Sequence, residues 1–119
     1  MRVIIQRVTA ASVKVKDRII GEIDHGLLLL VGYEKEDTLE DIIWVTHKIV
    51  NMRIFNDASN KMNLSLKELN GDILLISQFT LFASTKKGNR PSFMNSAPPK
   101  IAEKWYENTN TGWNVLTTP

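Results

Sequence analysis

Ile73-Leu74-Leu75-Ile76-Ser77-Gln78-Phe79-Thr80-Leu81 decides the fold. Four consecutive apolar residues define a strand covered on both faces, as in a sheet packed from two sides, and the strand then ends in hydroxyl and amide groups. Such groups cost free energy in an apolar setting unless something hydrogen-bonds them. A site is therefore expected where the strand ends. Continued as a strand to Phe82, the stretch puts Gln78 and Thr80 on one face and Ser77 and Phe79 on the other. Close behind follow Lys86, Lys87, Gly88 and Asn89, then Arg90-Pro91-Ser92-Phe93-Met94, a basic loop beside the polar strand end.

Upstream, Arg2 to Val8, Ala11 to Val15, Arg18 to Ile23 and Gly26 to Tyr33 read as strands, separated by the turn signals Lys16-Asp17 and Asp24-His25. Thr38 caps a helix whose apolar positions Leu39, Ile42, Ile43, Thr46, Ile49 and Val50 recur at helical spacing, with Asp41 at the reciprocal capping position. Met52 to Phe55 reads as a short strand, Asn56 to Asn60 as a loop and Met62 to Leu66 as extended. Asn70-Gly71 gives a tight-turn signal. Ser96 is the expected cap of a second helix starting near Pro98-Pro99, with Ile101, Ala102, Trp105 and Tyr106 on its buried face, and the polar run beyond Asn108 is expected to break it. The fold class is thus α/β, with a mixed, strongly curled, barrel-like sheet covered by two helices.

With 119 residues the chain has room for one domain, and its 43% hydrophobic and 24% charged content suits an ordinary core rather than a disordered segment. It contains no cysteine, so disulfides and thiolate chemistry are excluded and zinc would depend on two histidines with carboxylates. No signal-peptide pattern opens the sequence, and no apolar run approaches the ~20 residues of a membrane span. The expected location is cytoplasmic, with no membrane partner. A net charge of +2 does not announce a nucleic-acid binder. Its distribution says more: Glu34, Glu36, Asp37, Glu40 and Asp41 crowd the first helix start, whereas Lys86, Lys87, Arg90, Lys100 and Lys104 follow the proposed site. The acidic cluster reads as compensation of the helix dipole, and no metal or other cofactor is expected.

Thr80 as a nucleophile would need a base within reach, and His25 and His47 lie far along the chain. Ser77 and Thr80 read better as hydrogen-bond donors, and Gln78 as an amide that orients a carbonyl or a water. Gly88 is not part of a phosphate-binding P-loop, because the G-x-x-x-x-G-K-[ST] spacing is absent.

Ser77-Gln78-Phe79-Thr80-Leu81 followed by Gly88-Asn89-Arg90-Pro91-Ser92-Phe93 resembles the signature of the D-aminoacyl-tRNA deacylases, the D-tyrosyl-tRNA deacylase family. Val3 to Val8, Ala11-Ser12-Val13, Gly21-Glu22-Ile23, Arg53 to Asp57 and Lys61 to Leu64 follow the same pattern in order, so the resemblance is nearly continuous from Met1 to Tyr106. It implies hydrolysis of the ester of D-aminoacyl-tRNA, with backbone N–H groups near Phe79 and Thr80 holding the oxyanion and the ribose 2′-hydroxyl helping to activate water. It further implies catalytic positions at Ser77, Gln78, Phe79 and Thr80, substrate binding by Arg7, Pro91, Ser92, Phe93 and Met94, and phosphate contacts from Lys86, Lys87 and Arg90. Phe79, Phe93 and Met94 have the side chains to flank an adenine ring, although for Phe79 core packing is the favoured reading of the sequence. The partners it implies are aminoacylated tRNA and a second copy in a homodimer, not DNA.

The family's C-terminal Gly-Pro pair, which rejects L-amino acids and which the arginine matching Arg7 supports, has no counterpart in this sequence. Residues 1–106 are therefore expected to form the deacylase-like domain and residues 107–119 a divergent tail, with D-selectivity weakened. The alternative reading is a non-catalytic module that binds the tRNA end, or an inactive remnant of the fold.

Overall fold

The computed structural model describes residues 1–117 other than 83, 85 and 87, and of residues 79, 80 and 110–117 it describes the backbone alone. Its centre is a three-stranded sheet in the order β1 (Arg2–Val8), β4 (Gly26–Gly32), β7 (Asp72–Ser77), with β1–β4 antiparallel and β4–β7 parallel. Between β1 and β4 the hairpin β2 (Ala11–Val15) and β3 (Arg18–Ile23) pairs with itself. Its turn places Lys16 and Asp17 at φ of 51° and 64°, the left-handed conformation of a two-residue hairpin turn.

Register sorts the side chains into two faces. Val3, Ile5, Leu27, Leu29, Val31, Ile73 and Leu75 share one, and Ile4, Leu28, Leu30, Leu74 and Ile76 the other. The first face carries the core, with Leu27, Leu29 and Val31 fully buried. Helix α1 (Leu39–Asn51) covers it through Ile42, Thr46, Ile49 and Val50, and helix α3 (Pro99–Thr117) through Ala102, Trp105 and Tyr106. The second face is half-covered by the β2–β3 hairpin, whose Gly21 sits against the Leu74 side chain. This explains why β4 and β7 are apolar at consecutive positions.

The α/β class stands, but the sheet does not curl into a barrel. Closure needs both edges of a sheet to find strands. Among the described residues β1 and β7 each pair only with β4, and the remaining strands form separate two-stranded ladders, β2–β3 and β5 (Phe55–Asn56) with β6 (Met62–Leu64).

Several local expectations are corrected. The strand expected to run to Phe82 stops at Ser77, and Phe79–Phe82 form a 3-10 turn, so the alternation of faces does not extend to Thr80. Ser65 opens a short helix α2 (Leu66–Leu69), capped reciprocally by Glu68; the extended reading of Leu66 was wrong. Asn70-Gly71 is a turn as expected, with Asn70 the left-handed cap that ends α2 at φ 53° and ψ 39°. The carbonyl of Pro98, not Ser96, accepts the first bonds of α3, from Ile101 and Ala102. That helix also continues beyond Asn108 to Thr117. Thr38 and Asp41 form the expected capping box, although Leu39 and Ile43 are exposed at 50% and 57%.

Two tyrosines tie α3 to the sheet. The Tyr33 hydroxyl donates to Thr109 Oγ1 at 2.8 Å, and Thr109 donates to the Trp105 carbonyl at 2.7 Å. The Tyr106 hydroxyl donates to the Leu75 carbonyl at 2.8 Å. Burial pushes the Tyr33 phenol from 10.0 up to about 12. Between those values the folded chain holds a proton that the unfolded chain releases, so this contribution is complete below pH 10 and is lost as pH rises through about 12. Tyr33→Phe should cost about 1 kcal/mol in denaturant melts at neutral pH and flatten the fall of stability between pH 10 and 12.

Gly26 admits no side chain: a Cβ there would collide with the Asp72 carbonyl oxygen and lie 2.7 Å from its nitrogen. Gly26→Ala must therefore part β4 from β7. Thermal melts should show a loss of about 2 kcal/mol or more, in the range of strained core changes.

Candidate functional site

Ser77 ends β7 on the core face, in register with Val31. The Gln78 N–H donates to the Val31 carbonyl at 2.7 Å, the last sheet-like bond before the chain turns. Leu81 N then bonds the Gln78 carbonyl at 3.3 Å and closes the 3-10 turn. The Phe79 and Thr80 N–H groups precede that first i→i+3 bond, so the turn itself offers them no acceptor.

The turn rests on Gly32. A Cβ on Gly32 would lie 3.0 Å from the Gln78 carbonyl oxygen, 3.1 Å from Leu81 Cβ and 3.1 Å from the Phe82 ring. A side chain here would press the segment outward by a few tenths of an ångström, so glycine lets it lie low across the end of β4. The loop after the turn is pinned at its base by reciprocal main-chain bonds between Ser84 and Ser92, of 2.8 and 2.7 Å.

A cavity of about 710 Å³ opens beside Ser77, between the sheet end and α3. Phe93, Met94, Ala97, Pro98, Ala102 and Tyr106 give it an apolar wall, and Lys35 and Glu103 also line it. Its volume suits a small organic group, and its walls suit an aromatic or aliphatic one. A second, more polar hollow of about 420 Å³ is lined by Ser84, Lys86, Asn89, Arg90, Ser92 and Asn95, among others. Cationic side chains, hydroxyls and amides make this one suited to phosphate oxygens.

The residues singled out from sequence are thus distributed unevenly. Ser77, Phe93 and Met94 meet in the first cavity, whereas Ser92, Lys86, Arg90 and again Met94 line the second. Pro91 is exposed and lines neither. Gln78 opens the turn, which also carries the backbone of Phe79 and Thr80; their side chains and Lys87 lie outside the described residues. Arg7 stands apart. It aligns with Leu27 and Ile73, two strands across from β7 and four residues along from Ser77, and so lies about 16 Å from it. Its exposed guanidinium donates to the Ile54 carbonyl at 3.0 Å.

Neither histidine lines the Ser77 cavity. His25 packs on the Phe55 ring at 5.5 Å, and His47 lies exposed on the outer side of α1. Asp37 of the acidic cluster is buried and accepts from the Met1 amino group at 2.7 Å and from the Glu34 N–H at 2.8 Å. Among the described residues no three His, Asp or Glu side chains are grouped to hold a metal, and no helix is long and apolar enough to cross a membrane.

Lys35, Pro98, Ala102 and Tyr106 were not read as site residues. The i, i+4 pair Ala102 and Tyr106 was legible as a buried helix face, and only the tertiary fold shows that this face walls a cavity.

The 3-10 turn thus stands at a strand end whose Ser77 lines an apolar cavity, with a basic hollow sharing Met94 beside it. The comparisons are specific. The family model described as D-Tyr-tRNA(Tyr) deacylase matches residues 4–116. The D-aminoacyl-tRNA deacylase of Thermosipho africanus (strain TCF52B) is 52% identical over 107 residues, covering 90% of this chain and 72% of that relative. A solved structure described as c-Myc DNA Unwinding Element Binding Protein superposes with a TM-score of 0.86 at 38% identity, covering 98% of this chain and 76% of the other. Another, described as a probable eukaryotic D-amino acid tRNA deacylase, gives a TM-score of 0.84 at 18% identity over 97% of this chain and 67% of that one, a likeness of fold alone. The chain belongs to the D-Tyr-tRNA(Tyr) deacylase family.

Proposed function

We propose that the chain hydrolyses D-aminoacyl-tRNA, releasing the free D-amino acid and tRNA and so removing wrongly charged tRNA from translation. Family membership across residues 4–116 carries this reading. Catalysis is assigned to the chain up to Tyr106, ahead of the tail at 107–119. Charged tRNA is met where proteins are made, so a cytoplasmic location belongs to the same reading.

The chemistry needs little from side chains. Water attacks the ester carbonyl carbon, the bond to the ribose oxygen breaks, and that oxygen leaves with one of the water's protons while the amino acid departs as its carboxylate and the other proton goes to solvent. The Phe79 and Thr80 N–H groups face the oxygen on which charge develops, each such donor being worth roughly 3–4 kcal/mol in the transition state. The substrate's own 2′-hydroxyl helps to activate the water. DNA lacks that hydroxyl, which favours RNA as the partner. Ser77 and Gln78 orient the carbonyl or the water, the cavity with Phe93 and Met94 takes the apolar end of the substrate, and Pro91 and Ser92 set the loop beside it. Lys86, Lys87 and Arg90 meet phosphates of the tRNA end, an interaction that weakens with salt.

Purified protein should release D-tyrosine from D-tyrosyl-tRNA. Thr80→Ala should keep turnover within about tenfold, because the N–H and not the hydroxyl is used. Tight binding of the charged tRNA end with no release of amino acid would favour the non-catalytic module instead. Loss of turnover by several orders of magnitude in a folded, substrate-binding Thr80→Ala would make the hydroxyl a nucleophile.

The functional unit in this reading is a homodimer. Ile4 on the second sheet face is 51% exposed, and Ile19 and Ile20 on the hairpin are 51% and 64% exposed, apolar surface of the kind that marks association sites. In a dimer, Arg7 would serve the neighbouring copy's site. Light scattering should give twice the 13.5 kDa chain mass, and Ile4→Lys should shift it toward the monomer. A monomeric wild-type chain that still turns over substrate would remove the dimer from the mechanism.

A further inference from the structure

Arg2 belongs to neither cavity, yet it touches the segment on which the proposed hydrolysis depends. In the sheet it lies opposite Gly32 on the second face, and Gly32 presents no side chain between them. The guanidinium passes over that gap. Its Nη1 donates to the Leu81 carbonyl at 2.8 Å, and its central carbon stands 4.7 Å from the centre of the Phe82 ring. Leu81 and Phe82 are the last two residues of the 3-10 turn that begins at Phe79.

Three contacts therefore fix this turn. Gln78 N is held by Val31 at its start, Gly32 forms the floor, and Arg2 grips the far end by a charge-assisted hydrogen bond and by stacking on an aromatic face. A four-residue 3-10 turn has poor hydrogen-bond geometry of its own and does not hold its shape without such support. The direction of the Phe79 and Thr80 N–H groups follows from the direction of the turn. A displacement of about 1 Å at reacting groups costs on the order of a hundredfold in rate.

We infer that Arg2, acting across Gly32, is a positioning residue for the reaction: it clamps the Phe79–Phe82 turn so that the backbone N–H groups point at the ester oxygen. The inference rests on the hydrolase reading above. Lysine can replace only part of the clamp, since it keeps a cation over the ring and one donor but loses the planar fork. Methionine keeps the apolar stem and neither polar contact.

The test compares wild type, Arg2→Lys, Arg2→Met and Arg2→Ala in two measurements, steady-state release of D-tyrosine from D-tyrosyl-tRNA and amide hydrogen exchange resolved by residue. Arg2→Ala and Arg2→Met should lower kcat about tenfold or more, leave KM within about twofold and speed exchange at Phe79, Thr80 and Leu81, while Leu29 in β4 stays protected. Arg2→Lys should recover part of both changes. Unchanged kcat in Arg2→Ala overturns the inference, as does a loss of kcat equal in the lysine and methionine variants, or one with exchange raised throughout the sheet. If wild type releases no D-tyrosine, the hydrolase reading fails and the positioning role falls with it. Faster exchange confined to the turn in Arg2→Ala would then place the failure in the chemistry rather than in the clamp.

Discussion

The parallel pairing of β4 with β7 is the constraint on which the rest depends. Among the described residues β4 is the only strand with neighbours on both sides in the central sheet, and its Leu27, Leu29 and Val31 are fully removed from water. Each such side chain contributes roughly 1.5–3 kcal/mol, an upper figure since the unfolded chain already hides some of that surface. Glycines at its two ends let other backbone come close: Gly26 lies against Asp72, and Gly32 lies under the 3-10 turn. The strand that centres the core thus also sets the height of the site segment above the sheet.

The helices serve the same strand from the other side. α1 and α3 cover the core face, and the hydroxyls of Tyr33 and Tyr106 fix α3 to β4's extension and to β7. Because Tyr106 both bonds Leu75 and walls the cavity beside Ser77, the helix position and the cavity shape are coupled. The site is built from three elements that each also hold the fold: a strand end, a glycine-supported turn and a helix face.

What the sequence revealed was local. Thr38 and Asp41 announced a capping box that the structure contains, and the alternation in the first three strands matched their bounds. Ser65 and Glu68 carry the same spacing, but they sit behind an extended segment whose pattern hid a helix of only four residues. Phe79 to Phe82 reads as strand because aromatic and β-branched residues favour that state. Their turn is imposed by Gly32 and Arg2, distant in sequence, so no local pattern could show it. Ser77, Phe93 and Met94 were legible as neighbours through the strand end and the family signature. Their shared cavity wall on α3 was not, because it depends on how the helix docks, and the separation of Arg7 from Ser77 likewise follows from sheet register.

The order of strands in the sheet differs from their order along the chain, and this bears on how the protein is made. β1 and β4 can zip together soon after Gly32 leaves the ribosome, but β7 follows roughly 45 residues later, and at about 5–20 residues per second that is a delay of some 2–9 s. For that interval the open edge of β4, with its leucine-rich row, has no partner in its own chain. An unpaired apolar edge is a template for other strands, so the nascent chain passes through its most aggregation-prone state before the site segment exists. Helix α1, with its capping box and its buried Ile42, Ile49 and Val50, is the first and longest element to emerge in that window, and it packs on the core face of the row while β7 is awaited.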